Sequence, residues 1–206
     1  MAQEFLNDIS PTFCVLPWIH MATYTNGTPL LCCVAQPPND KEKINLNYES
    51  INEIWNSDHW KRARKAMIAG RKLGDGDQKK GKKHFKKLIK KTKADGTLKE
   101  KLITLDLRLG NTCNLQCTMC RSVDSSKWQG SEDKIISRTT GIVADDWRWK
   151  KDDTSKSDFD WVDDETLWDK DLTELLPNMR HIIFAGGEPL LLKVHTKFLE
   201  KVVKLG

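Results

Sequence analysis

Three cysteines, Cys113, Cys117 and Cys120, stand in the spacing C-x3-C-x2-C directly after LITLDLRLG (102–110), whose alternation and β-branched content predict a strand. A strand that runs straight into three thiols fixes what the next loop can be. Spacing this tight lets one loop wrap a compact polynuclear centre. Structural zinc draws its four ligands from two short pairs at distant points of a chain, and here no second pair follows the trio. A [4Fe–4S] cube ordinarily takes four cysteines. Three would leave one iron corner open, as catalytic zinc sites keep a position open. The spacing therefore predicts a cluster that also binds something exchangeable.

The rest of the composition bounds the setting. The chain has 206 residues, enough for one domain with a smaller companion and for a real core without disulfides or metal to hold it. No window is apolar for the 18 or so residues a membrane helix needs. The opening MAQEFLNDIS carries two acids and no apolar signal-peptide core. The expectation is a cytoplasmic protein without a membrane partner, whose thiols are kept reduced. Its other cysteines, Cys14, Cys32 and Cys33, could each be a buried small hydrophobe.

Charge is segregated along the chain. Lysines at 79, 80, 82, 83, 86, 87, 90, 91 and 93 have no acid among them, whereas acids outnumber bases from Asp145 to Glu174. The lysine run suits a nucleic-acid patch. His84, Phe85, Leu88 and Ile89 recur inside it at helical spacing, however, so a solvated amphipathic helix is the stronger reading. No nucleic-acid-binding motif accompanies it.

Local signals divide the chain into three parts: a small α+β unit over 1–76, a basic helix and linker over 77–100, and an α/β segment over 101–206. In the first, Asn26-Gly27 marks a hairpin, and Ser50 with Glu53 forms a capping box ahead of Ile51, Ile54 and Trp55. A helix is expected around Trp60 to Ala69, ended by Gly70, Gly74 and Gly76. Asp95-Gly96 reads as a turn. In the third part HIIFAGG (181–187) is a second strand. The closing helix places Val194, Phe198, Leu199 and Val202 on one face, with Gly206 where a cap would sit. Strand, long connection, strand and helix is α/β organisation.

The trio, with Gly186-Gly187-Glu188-Pro189 after the second strand, resembles the signature of radical S-adenosylmethionine (SAM) enzymes. In that family a loop after the first barrel strand holds a [4Fe–4S] cluster, and its open iron chelates the amino and carboxylate groups of SAM. The resemblance implies that Cys113, Cys117 and Cys120 hold the cluster as thiolates and that Gly186, Gly187, Glu188 and Pro189 border SAM's methionine moiety. Met119 stands where the family often has an aromatic residue. The implied fold is an incomplete TIM-barrel-type radical SAM domain preceded by the small α+β unit. The implied activity is reductive cleavage of SAM to a 5′-deoxyadenosyl radical, with an external electron donor. Glycines would let backbone approach the ligand, and Glu188 would either sit beside the SAM ammonium or orient the loop.

The amino-terminal string, with Cys14, Pro17-Trp18, Gly27, Cys32-Cys33, Ile54-Trp55-Asn56-Ser57 and Met67, is similar to the SPASM/twitch-like segment of some radical SAM proteins. There such cysteines bind an auxiliary cluster. The further cysteine pair of that pattern is missing from RKLGDGDQKKGKKHF (71–85), so buried thiols of a structural unit are preferred to a second cluster. If the resemblance carries that far, the substrate is a peptide or protein.

Two barrel strands are convincing, against about 30 residues per βα unit in a full barrel, so the chain is expected to be part of a longer or split enzyme. The acidic, Trp-rich stretch 124–176 is read as local packing or as a lid, with Ser125-Ser126-Lys127-Trp128 nearest the site. A truncated, non-catalytic module binding a cluster or zinc is the alternative reading of the whole.

Overall fold

The computed structural model describes residues 14–38, 44–69, 82–139, 159–162 and 165–205. It is a mixed α/β fold built on one open sheet of four strands. In chain order the elements are helix α1 (Leu16–Ile19), strands β1 (His20–Thr23) and β2 (Pro29–Leu30), and helices α2 (Ile51–Trp55), α3 (Asp58–Ile68) and α4 (Lys82–Lys91). Strand β3 (Thr104–Arg108), helices α5 (Gln129–Arg138) and α6 (Glu165–Leu175), strand β4 (His181–Ala185) and helix α7 (Lys193–Leu205) follow, joined in places by short 3-10 turns. The sheet order is β2-β1-β3-β4. Strands β1 and β2 form the expected hairpin, antiparallel with Ala22 opposite Leu30. Strands β1, β3 and β4 run parallel, with His20 opposite Thr104 and Thr104 opposite His181. A strand of the first expected unit thus lies beside the first strand of the third. Among the described residues the sheet does not close into a barrel.

The hairpin turn needs Gly27: its φ is +79°, and a Cβ there would lie 2.9 Å from the Trp161 ring. The capping box forms as read, with Glu53 N donating to Ser50 Oγ at 3.2 Å and Ser50 N donating to the Glu53 carboxylate at 2.8 Å. Pro17 opens α1, where a missing N–H costs nothing.

Strand β3 decides where the core sits. Its Leu105 and Leu107, with Leu109 just beyond, point to one side and are fully buried against Trp18, Ile54, Trp55, Trp60 and Phe198. Each such side chain contributes about 1.5–3 kcal/mol by leaving water. Thr104, Asp106 and Arg108 point to the other side. The α7 face is not the one expected throughout: Phe198 is buried, and Val194 and Val202 pack on the core, but Leu199 is exposed and His195 takes a buried place. His195 lies edge-on to Phe184 at 4.5 Å, a contact that periodicity alone would not rank above leucine.

The buried residue that sequence reasoning missed is Arg64. Its guanidinium donates to Pro17 O at 2.8 Å, Trp55 O at 2.8 Å, Asn56 Oδ1 at 3.1 Å and Gly96 O at 3.3 Å, and lies over the Trp55 ring. Burial pulls its pKa down to about 10, so it is charged at neutral pH. Gly96, with φ +91°, makes the predicted turn and packs where a Cβ would strike Lys61 O at 2.4 Å.

In the lysine run, α4 places Ile89 in the core while Lys87 and Lys90 stay exposed, and Lys91 pairs with Glu100. That is the amphipathic helix rather than a face of bare charge. Gly70, Gly74, Gly76, Gly206, Trp147, Trp149 and the lysines at 79 and 80 lie outside the described residues. No helix among the described residues is long and apolar enough to cross a membrane.

Candidate metal centre

The cysteine loop leaves the carboxyl end of β3, where ligands of parallel sheets collect. Polar side chains inside the loop replace the regular structure it lacks. Asn111 Nδ2 donates to Ser122 O at 2.9 Å, buried Ser125 Oγ to Leu115 O at 2.7 Å, and Ser126 N to Asn111 O at 2.7 Å. Trp128 Nε1 donates to Cys117 O at 2.8 Å, so the Ser125–Trp128 stretch borders the loop as anticipated. Behind Cys120, Arg121 reaches one oxygen of Glu132 through Nε at 3.0 Å and Nη2 at 2.8 Å. Ser122 N donates to the other oxygen at 2.8 Å. Glu132 sits on α5 and is buried. Burial works against its charge, but the Ser122 and Arg121 donors outweigh it and hold its carboxyl below the usual carboxylate range. Sequence reading assigned no helix to 129–138 and no role to Glu132; a charged residue just past a cysteine trio, with an acid eleven positions on, was the available signal.

Cys117 is exposed, and Cys113 and Cys120 are half-buried. The Cys120 thiol is pushed up by burial first, then by Asp124 and by Cys117 and Cys113, so the three sulfurs share one neighbourhood. Leu115 N donates to Cys113 Sγ at 3.4 Å. Among the described residues no three His, Cys, Asp or Glu side chains are gathered as a single-ion site. Met119, at the tip, is almost wholly exposed.

Gly186 and Gly187 follow β4 with φ of +76° and +58°. Gly187 N donates to Asp124 O at 2.7 Å and Glu188 N to Thr112 O at 2.8 Å, clasping this turn to both limbs of the cysteine loop. A Cβ on Gly187 would come within 2.5 Å of Thr112 O, and one on Gly186 within 2.9 Å of Arg108 Cβ. The missing side chains thus face the chain's own strand and loop. Glu188 Oε1 accepts from Leu190 N at 3.4 Å and caps the short turn Pro189–Leu191, which is the loop-orienting alternative. The hairpin also reaches in: Thr25 Oγ1 donates to Val123 O at 3.1 Å, and Trp161 Nε1 to Thr25 O at 3.1 Å.

Of the amino-terminal cysteines, Cys14 is buried, Cys32 half-buried and Cys33 exposed, so the reading as buried thiols holds for Cys14 alone. Burial raises the Cys14 pKa, with a smaller push from Cys32, which places those two near each other. Cys14 N donates to Met67 Sδ at 3.4 Å, tying the first cysteine to α3.

No curated protein and no solved structure matches the chain. A family model does: residues 14–81, which hold Cys14, Cys32, Cys33 and Met67, match SPASM, described as an iron–sulfur cluster-binding domain. The SPASM part of the resemblance is thereby found in the chain, and with it support for iron–sulfur cluster binding.

Proposed function

We propose that the chain is a cytoplasmic radical SAM iron–sulfur protein. In this reading Cys113, Cys117 and Cys120 hold a [4Fe–4S] cluster, and the sheet over β1, β3 and β4 is the start of a barrel-type domain. The turn Gly186, Gly187, Glu188 and Pro189 borders the methionine end of SAM. When bound, the reduced cluster would supply the electron that splits SAM into methionine and a 5′-deoxyadenosyl radical, for use on a peptide or protein substrate. An external donor would supply that electron.

The observation that carries the reading is the clasp of Gly187 and Glu188 amides onto the cysteine loop. Two motifs separated by more than sixty residues meet at the carboxyl ends of adjacent parallel strands. The SPASM match adds a domain that accompanies such chemistry. The protein's own contribution is to hold the thiolates through Asn111, Ser125 and Ser126, to anchor the loop through Arg121 and Glu132, and to shape the turn.

The test is anaerobic iron and sulfide content, with an EPR spectrum recorded with and without SAM, followed by assay for 5′-deoxyadenosine under reduction. Four irons bound through the trio, a SAM-dependent spectral shift and 5′-deoxyadenosine support the reading. A cluster with no response to SAM supports the non-catalytic module instead. Cys120→Ala retaining all the iron of the parent would remove the trio from the site.

A further inference from the structure

Strand β1 runs parallel to β3, and β3 to β4. The hairpin turn after β1 therefore falls at the same end of the sheet as the cysteine loop and the glycine turn. The residue that exploits this placement is Thr25, buried in the hairpin turn. Its hydroxyl donates to Val123 O at 3.1 Å, on the limb by which the chain leaves the trio. Its Cγ2 lies 3.0 Å from where a Cβ on Gly186 would stand. Its carbonyl accepts from Trp161 Nε1 at 3.1 Å. One side chain thus touches both motifs of the site, through different atoms, from the end of a third strand.

The bond to Val123 acts where the loop has little else to fix it. Residues 111–125 form no helix or strand, so this loop takes its shape from individual hydrogen bonds. Asp124, next after Val123, accepts from Gly187 N through its carbonyl at 2.7 Å and from Arg121 N through its carboxylate at 3.4 Å. Its carboxylate also pairs with Arg108 at 3.5 Å. Holding Val123 therefore holds the residue that ties the glycine turn to the loop. The hairpin is the fixed side of this contact. Asn26 O accepts from Asn45 Nδ2 at 3.1 Å and from Asn47 Nδ2 at 3.2 Å, and Gly27 O accepts from Leu46 N at 3.0 Å.

We propose that Thr25 is a positioning residue of the site: its hydroxyl holds the exit limb of the cysteine loop against the glycine turn. Thr25 lies within residues 14–81, so the region that matches SPASM sets the spacing between trio and turn through this one side chain. It acts through Val123 and Asp124, and not on a thiol. The inference rests on the preceding reading for what the trio and the turn bind; the hold itself is a property of the chain.

The experiment compares the parent with Thr25→Val, which keeps the bulk and deletes the donor, and with Thr25→Ser, which keeps the donor. All are full chains reconstituted anaerobically, followed by hydrogen exchange, iron content and EPR during titration with SAM. In Thr25→Val the Gly187 amide should exchange about 5- to 10-fold faster, as for one lost hydrogen bond, while the amides of β1 and β3 keep parent rates. Iron content should match the parent, and the SAM concentration giving half the EPR change should rise by a similar about 5- to 10-fold. Thr25→Ser should stay within about 2-fold of the parent in both, since its hydroxyl is intact. Thr25→Val matching the parent, or Thr25→Ser behaving like Thr25→Val, overturns the proposal. A faster Gly187 amide with an unchanged SAM titration makes the bond a structural tie alone and also overturns it. A parent that binds no iron, or whose cluster ignores SAM, defeats the preceding reading instead; exchange at Gly187 and its rescue by serine then decide on Thr25. Thr25→Ala against Thr25→Ser carries the same comparison if the valine variant does not fold.

Discussion

Gly187→Ala is the sharpest probe of the clasp between the two motifs. Glycine at this position has φ +58°, a conformation that costs an alanine about 1–2 kcal/mol. The new Cβ would stand 2.5 Å from Thr112 O, 2.9 Å from Asn111 C and 3.1 Å from Gly110 O. All three are backbone atoms of the loop limb that enters the trio, so no side chain can swing aside. Relief requires the turn to lift, which endangers the amide bonds from Gly187 to Asp124 O and from Glu188 to Thr112 O, at about 1 kcal/mol each. The sum is about 3–4 kcal/mol for seating the turn. If opening it is coupled to global unfolding, melting falls by about 6–16 °C for a chain of this size. If the turn opens alone, hydrogen exchange at the amides of residues 187 and 188 accelerates while melting holds. In both cases iron retention after desalting should drop, because both limbs of the cysteine loop lose their tie. A variant that melts within about 1 °C of the parent, exchanges those amides as slowly and keeps its iron would refute the reasoning.

Other perturbations separate the supports of the site. Gly130→Ala, on α5 with nothing within 4 Å of the new methyl, should raise stability by up to about 1 kcal/mol in a denaturant melt, the opposite sign from Gly187. Glu132→Ala strips Arg121 and the Ser122 amide of their acceptor in a buried place. It should cost about 3–5 kcal/mol and loosen iron binding, measured by chemical denaturation and iron assay. Because the folded-state pKa of Glu132 is depressed, its stabilisation is complete above the unfolded value near 4.3 and fades as pH falls through the lower folded value. An acid titration of denaturant stability followed by circular dichroism should show that fading below about pH 4.3 in the parent but not in Glu132→Gln. Arg64→Met leaves four acceptors facing an apolar side chain and should destabilise by several kcal/mol without altering the SAM response of whatever folded protein remains.

How far the sequence foretold the molecule depended on whether the signal was local. The Asn26-Gly27 hairpin, the Ser50–Glu53 box and both strands that flank the motifs follow from turn chemistry, capping and alternation within a few residues, and each stands where expected. Strand β1 lying parallel beside β3 was not legible, because only the register across some eighty residues reveals it. Arg64 was hidden for a related reason: three of its four acceptors are main-chain carbonyls, of Pro17, Trp55 and Gly96, which carry no side-chain signature. At the site, the trio and the double glycine were visible as spacing. The reason for the glycines was not, since the close approach they permit is to Thr112 and Arg108 of the chain itself. The burial of Glu132 and Asp106 went unnoticed because an acid on a charged helix, or within an alternating strand, looks like any solvated residue until its burial is known.

The position of β1 has a consequence for how such a protein could have been assembled in evolution. A module strung on a linker can be exchanged by recombination between linkers. Here a breakpoint between the hairpin and the cysteine loop would tear a continuous ladder and bare the flank of β3. Two lineages brought together this way must either inherit both halves as a pair or reinvent the missing edge.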